Sequence, residues 1–183
     1  IMSSDWSSDV CSSDLVRKAK NNKISSMKTK NKIISSSDVE NLLVIGSSTG
    51  GPQTLTQLVP NIPENVQAGI IIIQHMPPVF TKSLADRLNS LSKIEVREAK
   101  EGDEIRNGLA LVAPGDYHMT VEEKTMMGKS RRFVSLNKKP KIHGVRPSVD
   151  VTFSSAADIF HERIVAVLLT GMGRDGSQAM GTI

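Results

Sequence analysis

The chain has 183 residues, of which 38% are hydrophobic and 23% charged, and its formal net charge is +4. This length and apolar share are enough for one α/β domain with a tail. They exclude a membrane span, because the longest apolar run, around residues 70–73, has only the length of a strand. Cys11 is the only cysteine, which excludes an internal disulfide framework and predicts a reducing compartment, the cytoplasm.

The first forty residues differ in composition from the rest. Residues 1–15 repeat Ser-Ser-Asp three times without helical or strand periodicity, and we interpret them as a sequence artefact or a disordered tail. Residues 16–40 form a predicted basic linker, in which seven positive charges precede the first acidic residue at position 38. This linker has no aromatic residues to stack on bases, so nucleic acid is not an expected partner.

Apolar strands alternate with helical patterns from residue 41 onwards. The predicted elements are a strand at 42–45, a helix through residues 55 and 58, a strand at 68–74, a helix at about 81–91, short strands at 109–113, 117–121 and 132–136, a helix at 149–162 and a strand at 164–169. The short strands surround Pro114 and Gly115 and predict a β-hairpin insertion. The alternation predicts an α/β fold with a doubly wound, mainly parallel sheet in a Rossmann-like three-layer arrangement.

Residues 46–50, Gly-Ser-Ser-Thr-Gly, fit the pattern Gly-x-Ser-x-Gly, in which small residues allow a sharp turn that exposes the central hydroxyl. The pattern follows a predicted strand and opens a predicted helix, so Ser48 is a candidate nucleophile. The alternative is a glycine-rich turn that binds phosphate or nothing. A phosphate-binding P-loop has a Lys near its end, whereas Gly-Pro-Gln follows here. The pattern alone does not decide whether Ser48 is a nucleophile or part of a glycine-rich turn without a catalytic role.

A serine nucleophile needs a base and an acid that orients the base. His75 stands at the carboxyl end of the second predicted strand, where a parallel sheet gathers functional groups. Asp175 lies in a glycine-flanked loop after the third long strand, so strand ends supply all three groups. Asp150 is the chief rival for the acid, with a role at a helix start as its structural alternative. The remaining histidines, less favoured as the base, are His118, His143 and His161.

Five separated segments in one order resemble the CheB family of chemotaxis methylesterases, from residue 43 to the end of the chain. They are residues 45–51, 74–77, 113–119, 146–150 and 169–176. The resemblance implies that residues 41–183 are a methylesterase catalytic domain that is incomplete at its carboxyl end. It also implies a receiver domain, normally in the same chain before the linker, which is absent here.

The resemblance implies a serine hydrolase that removes methyl groups from γ-glutamyl methyl esters of methyl-accepting chemotaxis receptors, with deamidation of receptor glutamines in some members. It carries the roles of nucleophile, base and orienting acid onto Ser48, His75 and Asp175. The backbone N–H groups of Thr49 and Met172 are the candidate oxyanion donors. No cofactor or metal is expected, because the histidines lack close paired spacing. The receptors are the expected partners, without direct membrane insertion.

Two functions of other classes stay open at the level of sequence. One is a non-catalytic α/β module that binds phosphate, a nucleotide or a receptor through the glycine-rich loop. The other is an inactive paralogue that binds receptors without chemistry. Ester turnover that depends on Ser48 would distinguish the enzyme from both.

Overall fold

The computed structural model describes residues 39–169 and 173–183. Its strands and helices are β1 (Leu42–Ser47), α1 (Gly51–Leu58), β2 (Gly69–Gln74), α2 (Pro78–Leu91), β3 (Glu95–Glu98), β4 (Leu109–Val112), β5 (His118–Met126), β6 (Lys129–Asn137), α3 (Val149–Phe160), β7 (Ile164–Leu168) and α4 (Ser177–Met180). Cys11, the Ser-Ser-Asp repeats and most of the basic linker lie outside the described residues, so the interpretations of residues 1–15 and 16–40 stay predictions.

Five strands form one parallel sheet in the order β3-β4-β2-β1-β7. The strand β2 is buried along its whole length, as expected for a strand that is covered on both faces. One apolar cluster joins the sheet to α1 and α2, and includes Leu55 and Leu88. A second cluster joins the sheet to α3, and includes Phe153 and Ala156. The predicted doubly wound α/β fold is therefore confirmed.

The hairpin insertion is also confirmed, but its composition differs from the prediction. The strands β5 and β6 pair antiparallel as a separate two-stranded sheet. The expectation that residues 109–113 belong to this hairpin was wrong, because β4 pairs in parallel with β2 and β3. Gly115 does not turn the chain back on β4. It packs against the backbone of residues 76–78, where an added Cβ would lie 2.5 Å from the Pro78 nitrogen.

Apolar surface is exposed at one edge of the sheet. The strand β7 pairs with β1 on one side, and no strand of the described ranges pairs with its other side. Val165 is 61% exposed and Leu168 is 40% exposed, although both belong to a strand of the main sheet. As for the helices, none in the described ranges has the length and apolar character to cross a bilayer.

Candidate active site

The carboxyl ends of β1 and β2 place Ser48 beside His75. These strands are parallel neighbours, and Ser47 lies opposite Gln74. Ser48 follows Ser47 at the end of β1, and His75 follows Gln74 at the end of β2. The backbone N–H of His75 donates to the Ser47 carbonyl at 3.1 Å, which ties the two strand ends together. The chain then turns sharply through Gly50, whose φ of 80° lies in the left-handed region that glycine adopts freely, and α1 begins at Gly51. The strand, turn and helix expected around Ser48 are all present.

The two adjacent serines of this turn have different environments. Ser47 is 2% exposed, and its hydroxyl donates to the Gln74 side-chain oxygen at 2.8 Å. Ser48 is only partly buried, and its hydroxyl has no hydrogen-bond partner among the residues that the structure describes. Ser47 is therefore part of the core, whereas the hydroxyl of Ser48 is free to meet a ligand.

Gln74 is a buried polar residue at the end of β2 that opens the motif segment 74–77, although the sequence analysis gave it no role. Its side-chain nitrogen donates to the Ser48 carbonyl at 2.9 Å and to the His75 carbonyl at 3.1 Å. One side chain thus fixes the backbone of both candidate residues. Gly51 is required beside it, because a Cβ at that position would lie 1.9 Å from the Gln74 oxygen. Its signal in the sequence was a glutamine that ends an otherwise apolar strand.

Replacing Gln74 with Met, which has a similar volume, is expected to destabilise the protein by about 2 kcal/mol, because it leaves buried polar groups without partners. The affected groups are the Ser47 hydroxyl and the carbonyl of Ser48. Turnover should fall as well, because the backbone of the turn loses its link to β2. Urea unfolding and a rate assay check both effects. The matched control is Gln57→Met on the exposed face of α1, and equal stability of the two variants would contradict the role of Gln74.

Asp175 follows β7 and lies against the amino-terminal end of α3. Its side chain is 4% exposed, and four donors surround its carboxylate. These donors are the Ser148 hydroxyl at 2.6 Å, the Val149 N–H at 2.6 Å, the Asp150 N–H at 3.3 Å and His75 Nε2 at 2.8 Å. Burial disfavours the charged form, but the hydrogen bonds from His75, Ser148 and the two backbone amides outweigh it and hold the pKa of Asp175 below its ordinary value.

A glycine on β1 lets the amino-terminal end of α3 pack closely on the sheet beside Asp175. Val149 packs so closely on β1 that a Cβ at Gly46 would lie 2.6 Å from its side chain. Ser148 caps α3, because its hydroxyl oxygen accepts the Val151 N–H at 3.4 Å. The same hydroxyl donates to Asp175. Ser148 therefore joins the helix cap to the candidate acid.

The orientation of the His75 ring decides which nitrogen can act as a base. Its Nε2 lies 2.8 Å from Asp175 Oδ2, and the imidazole side chain is 13% exposed. When Nε2 carries the hydrogen and donates to the carboxylate, Nδ1 holds the free lone pair. The arrangement can therefore accept a proton at Nδ1 and stabilise the resulting imidazolium through Asp175.

Residues 43–183 match a protein-family model that is described as CheB methylesterase. The chain belongs to the CheB methylesterase family. The matched range is the one over which the sequence motifs resembled this family, so that resemblance is confirmed.

Individual members of the CheB family are similar over the same region. A protein-glutamate methylesterase/protein-glutamine glutaminase of Pyrococcus abyssi is 54% identical over 138 residues, which are 75% of this chain and 36% of the relative. The protein of that name from Thermotoga maritima is 50% identical over 137 residues, which are 75% of this chain and 39% of the relative. This chain thus spans well under half the length of the curated relatives it matches.

A solved structure gives the same result for the fold. The crystal structure of the Thermotoga maritima CheB methylesterase catalytic domain has 48% sequence identity and a TM-score of 0.71. The match covers 76% of this chain and 71% of that one. The names of these relatives support a catalytic function over the non-catalytic phosphate- or receptor-binding module.

The rival histidines and Asp150 lie in other settings. His118 is buried, with Nε2 3.0 Å from the Pro140 carbonyl, and its Nδ1 accepts the Ser148 N–H at 3.3 Å. His143 lies 3.6 Å from Asp150 Oδ2, and His161 is exposed after α3. Asp150 is in the first turn of α3, but its carboxylate accepts the Ala179 N–H at 2.9 Å and ties α4 to α3.

The structure describes only one of the two residues that are candidate oxyanion donors. Thr49 is exposed in the turn between β1 and α1. Met172 lies outside the described residues, so its role stays a prediction. In the described part of the chain, no three side chains of His, Cys, Asp or Glu converge as a metal site.

Proposed function

We propose that this chain is a serine esterase that hydrolyses γ-glutamyl methyl esters with Ser48 as nucleophile, His75 as base and Asp175 as the acid that orients His75. The observation that carries the proposal is the 2.8 Å contact between His75 Nε2 and Asp175 Oδ2, beside the strand end that presents Ser48. Nucleophilic catalysis requires a serine hydroxyl within reach of its base, and the partly exposed Ser48 hydroxyl, which no other residue of the described ranges binds, is free to make that contact with His75.

The reaction divides into acylation and deacylation. His75 Nδ1 takes the Ser48 proton as the hydroxyl attacks the ester carbonyl, and it then returns the proton to the departing methoxide, which leaves as methanol. In the second half, the same nitrogen activates water against the acyl-enzyme and releases a free glutamate side chain. Asp175 remains ionised throughout, in keeping with its lowered pKa. The N–H groups of Thr49 and Met172 are the proposed donors to the oxyanion.

The proposed substrates are methyl-accepting chemotaxis receptors, and the proposed location is the cytoplasm. The names of the relatives support an ester of a protein glutamate as the bond that is cleaved. Because the relatives are much longer than this chain, a receiver domain that regulates the site is part of the same proposal.

Deamidation of receptor glutamines is a second proposed activity. The names of the relatives carry both activities, and the same acyl chemistry serves both, because an amide releases ammonia where the ester releases methanol. If one site performs both reactions, substitutions at Ser48 should abolish release of methanol and of ammonia together. Loss of only one product would assign the other to a different site.

His75→Gln is expected to lower methanol release by at least about 100-fold, the usual contribution of a positioned base, and to leave the fold intact. The matched variant is His118→Gln, which removes a buried structural imidazole and should reduce stability more than turnover. A folded, inactive His118 variant beside an active His75 variant would overturn the assignment.

A further inference from the structure

The position of Asp175 is not fixed by its own stretch of chain. This residue lies between β7 and α4, and the nearest glycines on its two sides, Gly173 and Gly176, have φ values of 117° and 94°. Values of this kind are adopted freely by glycine, which restricts the course of the backbone less than any other residue. The carboxylate of Asp175 is therefore held in place by contacts from elsewhere in the fold.

The start of α3 provides these contacts and divides them between the two carboxylate oxygens. Oδ1 accepts the Ser148 hydroxyl at 2.6 Å and the Asp150 N–H at 3.3 Å. Oδ2 accepts the Val149 N–H at 2.6 Å and lies 2.8 Å from His75 Nε2. Each oxygen of a carboxylate has about two acceptor sites, so both oxygens are fully occupied. Because Oδ1 is bound to Ser148, it is Oδ2 that faces His75.

Ser148 is itself held on two sides. It is fully buried, its N–H donates to His118 Nδ1 at 3.3 Å, and its hydroxyl oxygen accepts the Val151 N–H at 3.4 Å. The His118 ring is fixed in turn, because its Nε2 donates to the Pro140 carbonyl at 3.0 Å and leaves Nδ1 as the acceptor. The Ser148 hydroxyl thus approaches Asp175 from one set direction, as a group that positions another side chain must.

We propose that Ser148 is a positioning residue of the esterase, which holds the Asp175 carboxylate so that Oδ2 stays aimed at His75 Nε2. The proposal rests on the proposed esterase function, because Ser148 acts only through the acid and the base of that function. A hydrogen bond to an ionised group is stronger than one between neutral groups, so this hydroxyl restrains the carboxylate effectively. It is also one of the donors that hold the pKa of Asp175 below its ordinary value.

The alternative role of Ser148 is purely structural, since it is also the N-cap of α3. A cap alone predicts that a Ser148 variant unfolds more easily but keeps the hydrogen bond between His75 and Asp175. Positioning predicts that this hydrogen bond and the turnover number change in a chain that remains folded. Glycine separates the two roles, because it is a good N-cap that has no hydroxyl.

The first experiment observes the His75 ring directly and needs no substrate. In the chain with isotope-labelled histidines, the NMR shifts of the ring nitrogens show which nitrogen carries the hydrogen in alkaline buffer, where imidazole is neutral. The signals of His75 are those missing from His75→Gln. The unsubstituted chain should carry this hydrogen on Nε2, whereas Ser148→Ala and Ser148→Gly should both populate the two tautomers.

The matched control is Ser155→Ala, the same change of residue type on the same helix. The Ser155 hydroxyl accepts the Val121 N–H at 3.1 Å and donates to the Thr152 carbonyl at 3.0 Å. Its loss should lower the stability of the chain without any effect on the His75 tautomer. Thermal unfolding of the three serine variants provides the comparison of stability, and Ser148→Gly should lose less stability than Ser148→Ala.

The second experiment measures methanol release from a methylated receptor. Ser148→Ala should lower kcat by about ten-fold or more, the value of one hydrogen bond to a charged group. KM should stay nearly constant, because Ser148 is fully buried and cannot reach a substrate. In an Asp175→Ala background, Ser148→Ala should cause no further loss, since no carboxylate remains to be positioned. Ser155→Ala should leave kcat unchanged.

Each experiment can overturn the proposal. If His75 keeps its hydrogen entirely on Nε2 in folded Ser148→Ala and Ser148→Gly chains, Ser148 does not position Asp175. Equal losses of kcat in Ser148→Ala and Ser155→Ala would assign Ser148 to the helix cap alone, and a full additional loss in the Asp175→Ala background would show that it acts by another route. If the unsubstituted chain releases no methanol, the esterase is refuted, whereas the tautomer comparison still decides the role of Ser148.

Discussion

Ser48→Ala is expected to lower methanol release by about 10⁶-fold, as removal of the nucleophile does in a serine protease with a catalytic triad. The reason is that, in the proposed mechanism, this hydroxyl is the group that attacks the ester carbonyl. Stability should change little, since the Ser48 hydroxyl makes no hydrogen bond within the described residues. Methanol release from a methylated receptor and thermal unfolding of both proteins provide the measurement.

The adjacent serine is a matched control for this experiment. Ser47→Ala removes a hydroxyl of the same kind, one residue away, that donates to Gln74 in the core. It should cost about 1 kcal/mol of stability and leave most of the turnover. An inactive Ser47 variant together with an active Ser48 variant would show that the nucleophile has been assigned to the wrong residue.

Asp175→Asn is expected to lower turnover by about 10⁴-fold, the loss seen when the orienting aspartate of a serine protease is replaced by asparagine. In asparagine, an NH₂ group replaces one carboxylate oxygen and cannot accept the hydrogen bonds that this oxygen accepted. His75 then loses the acceptor that keeps its hydrogen on Nε2. Affinity for the proposed receptor substrate should change little, because the Asp175 side chain is only 4% exposed and contacts His75 instead of the solvent. Turnover and receptor affinity measured on the same preparation test both statements.

The same substitution should also reduce stability, because Asp175 joins β7 to the start of α3. Its folded-state pKa lies below its ordinary value, so its contribution to stability is present above that ordinary value and is lost as the pH falls through the folded-state pKa. Asp175→Asn should therefore flatten the acid limb of a plot of unfolding free energy against pH.

Asp150→Asn is the control for this acid, since Asp150 lies in the first turn of the same helix. Its carboxylate accepts the Ala179 N–H, and an amide oxygen can accept that hydrogen bond as well. We expect a small loss of stability and nearly full turnover. A folded but inactive Asp150 variant, with Asp175→Asn fully active, would exchange the two assignments.

The sequence predicted those parts of the fold that have strong local signals. The apolar runs of β1, β2 and β7 were evident because buried parallel strands are almost continuously apolar. These strands also located Ser48, His75 and Asp175, since polar residues after such runs fall on one edge of the sheet. The family motifs covered the same range as the matching family model, residues 43–183.

Other parts were not predictable because their causes are not local. The strand β3 reads Glu-Val-Arg-Glu, with one apolar residue, so only its pairing with β4 makes it a strand. The strand β4 was placed in the hairpin because Pro114 and Gly115 resemble a hairpin turn, whereas the packing of Gly115 against residues 76–78 decides its course. The contacts of Gln74 and Ser148 depend on elements that are distant in sequence. A pattern of residue types gives no signal for such pairings.

Among the described strands, β7 pairs only with β1, and this unpaired side has a consequence for the given chain at high concentration. Unpaired backbone N–H and C=O groups at a sheet edge are a template onto which a strand of another molecule can add, and the exposed Val165 and Leu168 would reinforce that addition. Edge-to-edge assembly proceeds sideways along the sheet, in the direction of its hydrogen bonds. The carboxyl ends of the strands, which carry Ser48 and His75, point along the strand axis and not along this direction. Aggregates that form through β7 could thus keep their serine accessible, so residual ester turnover would be a poor measure of how much protein remains monomeric.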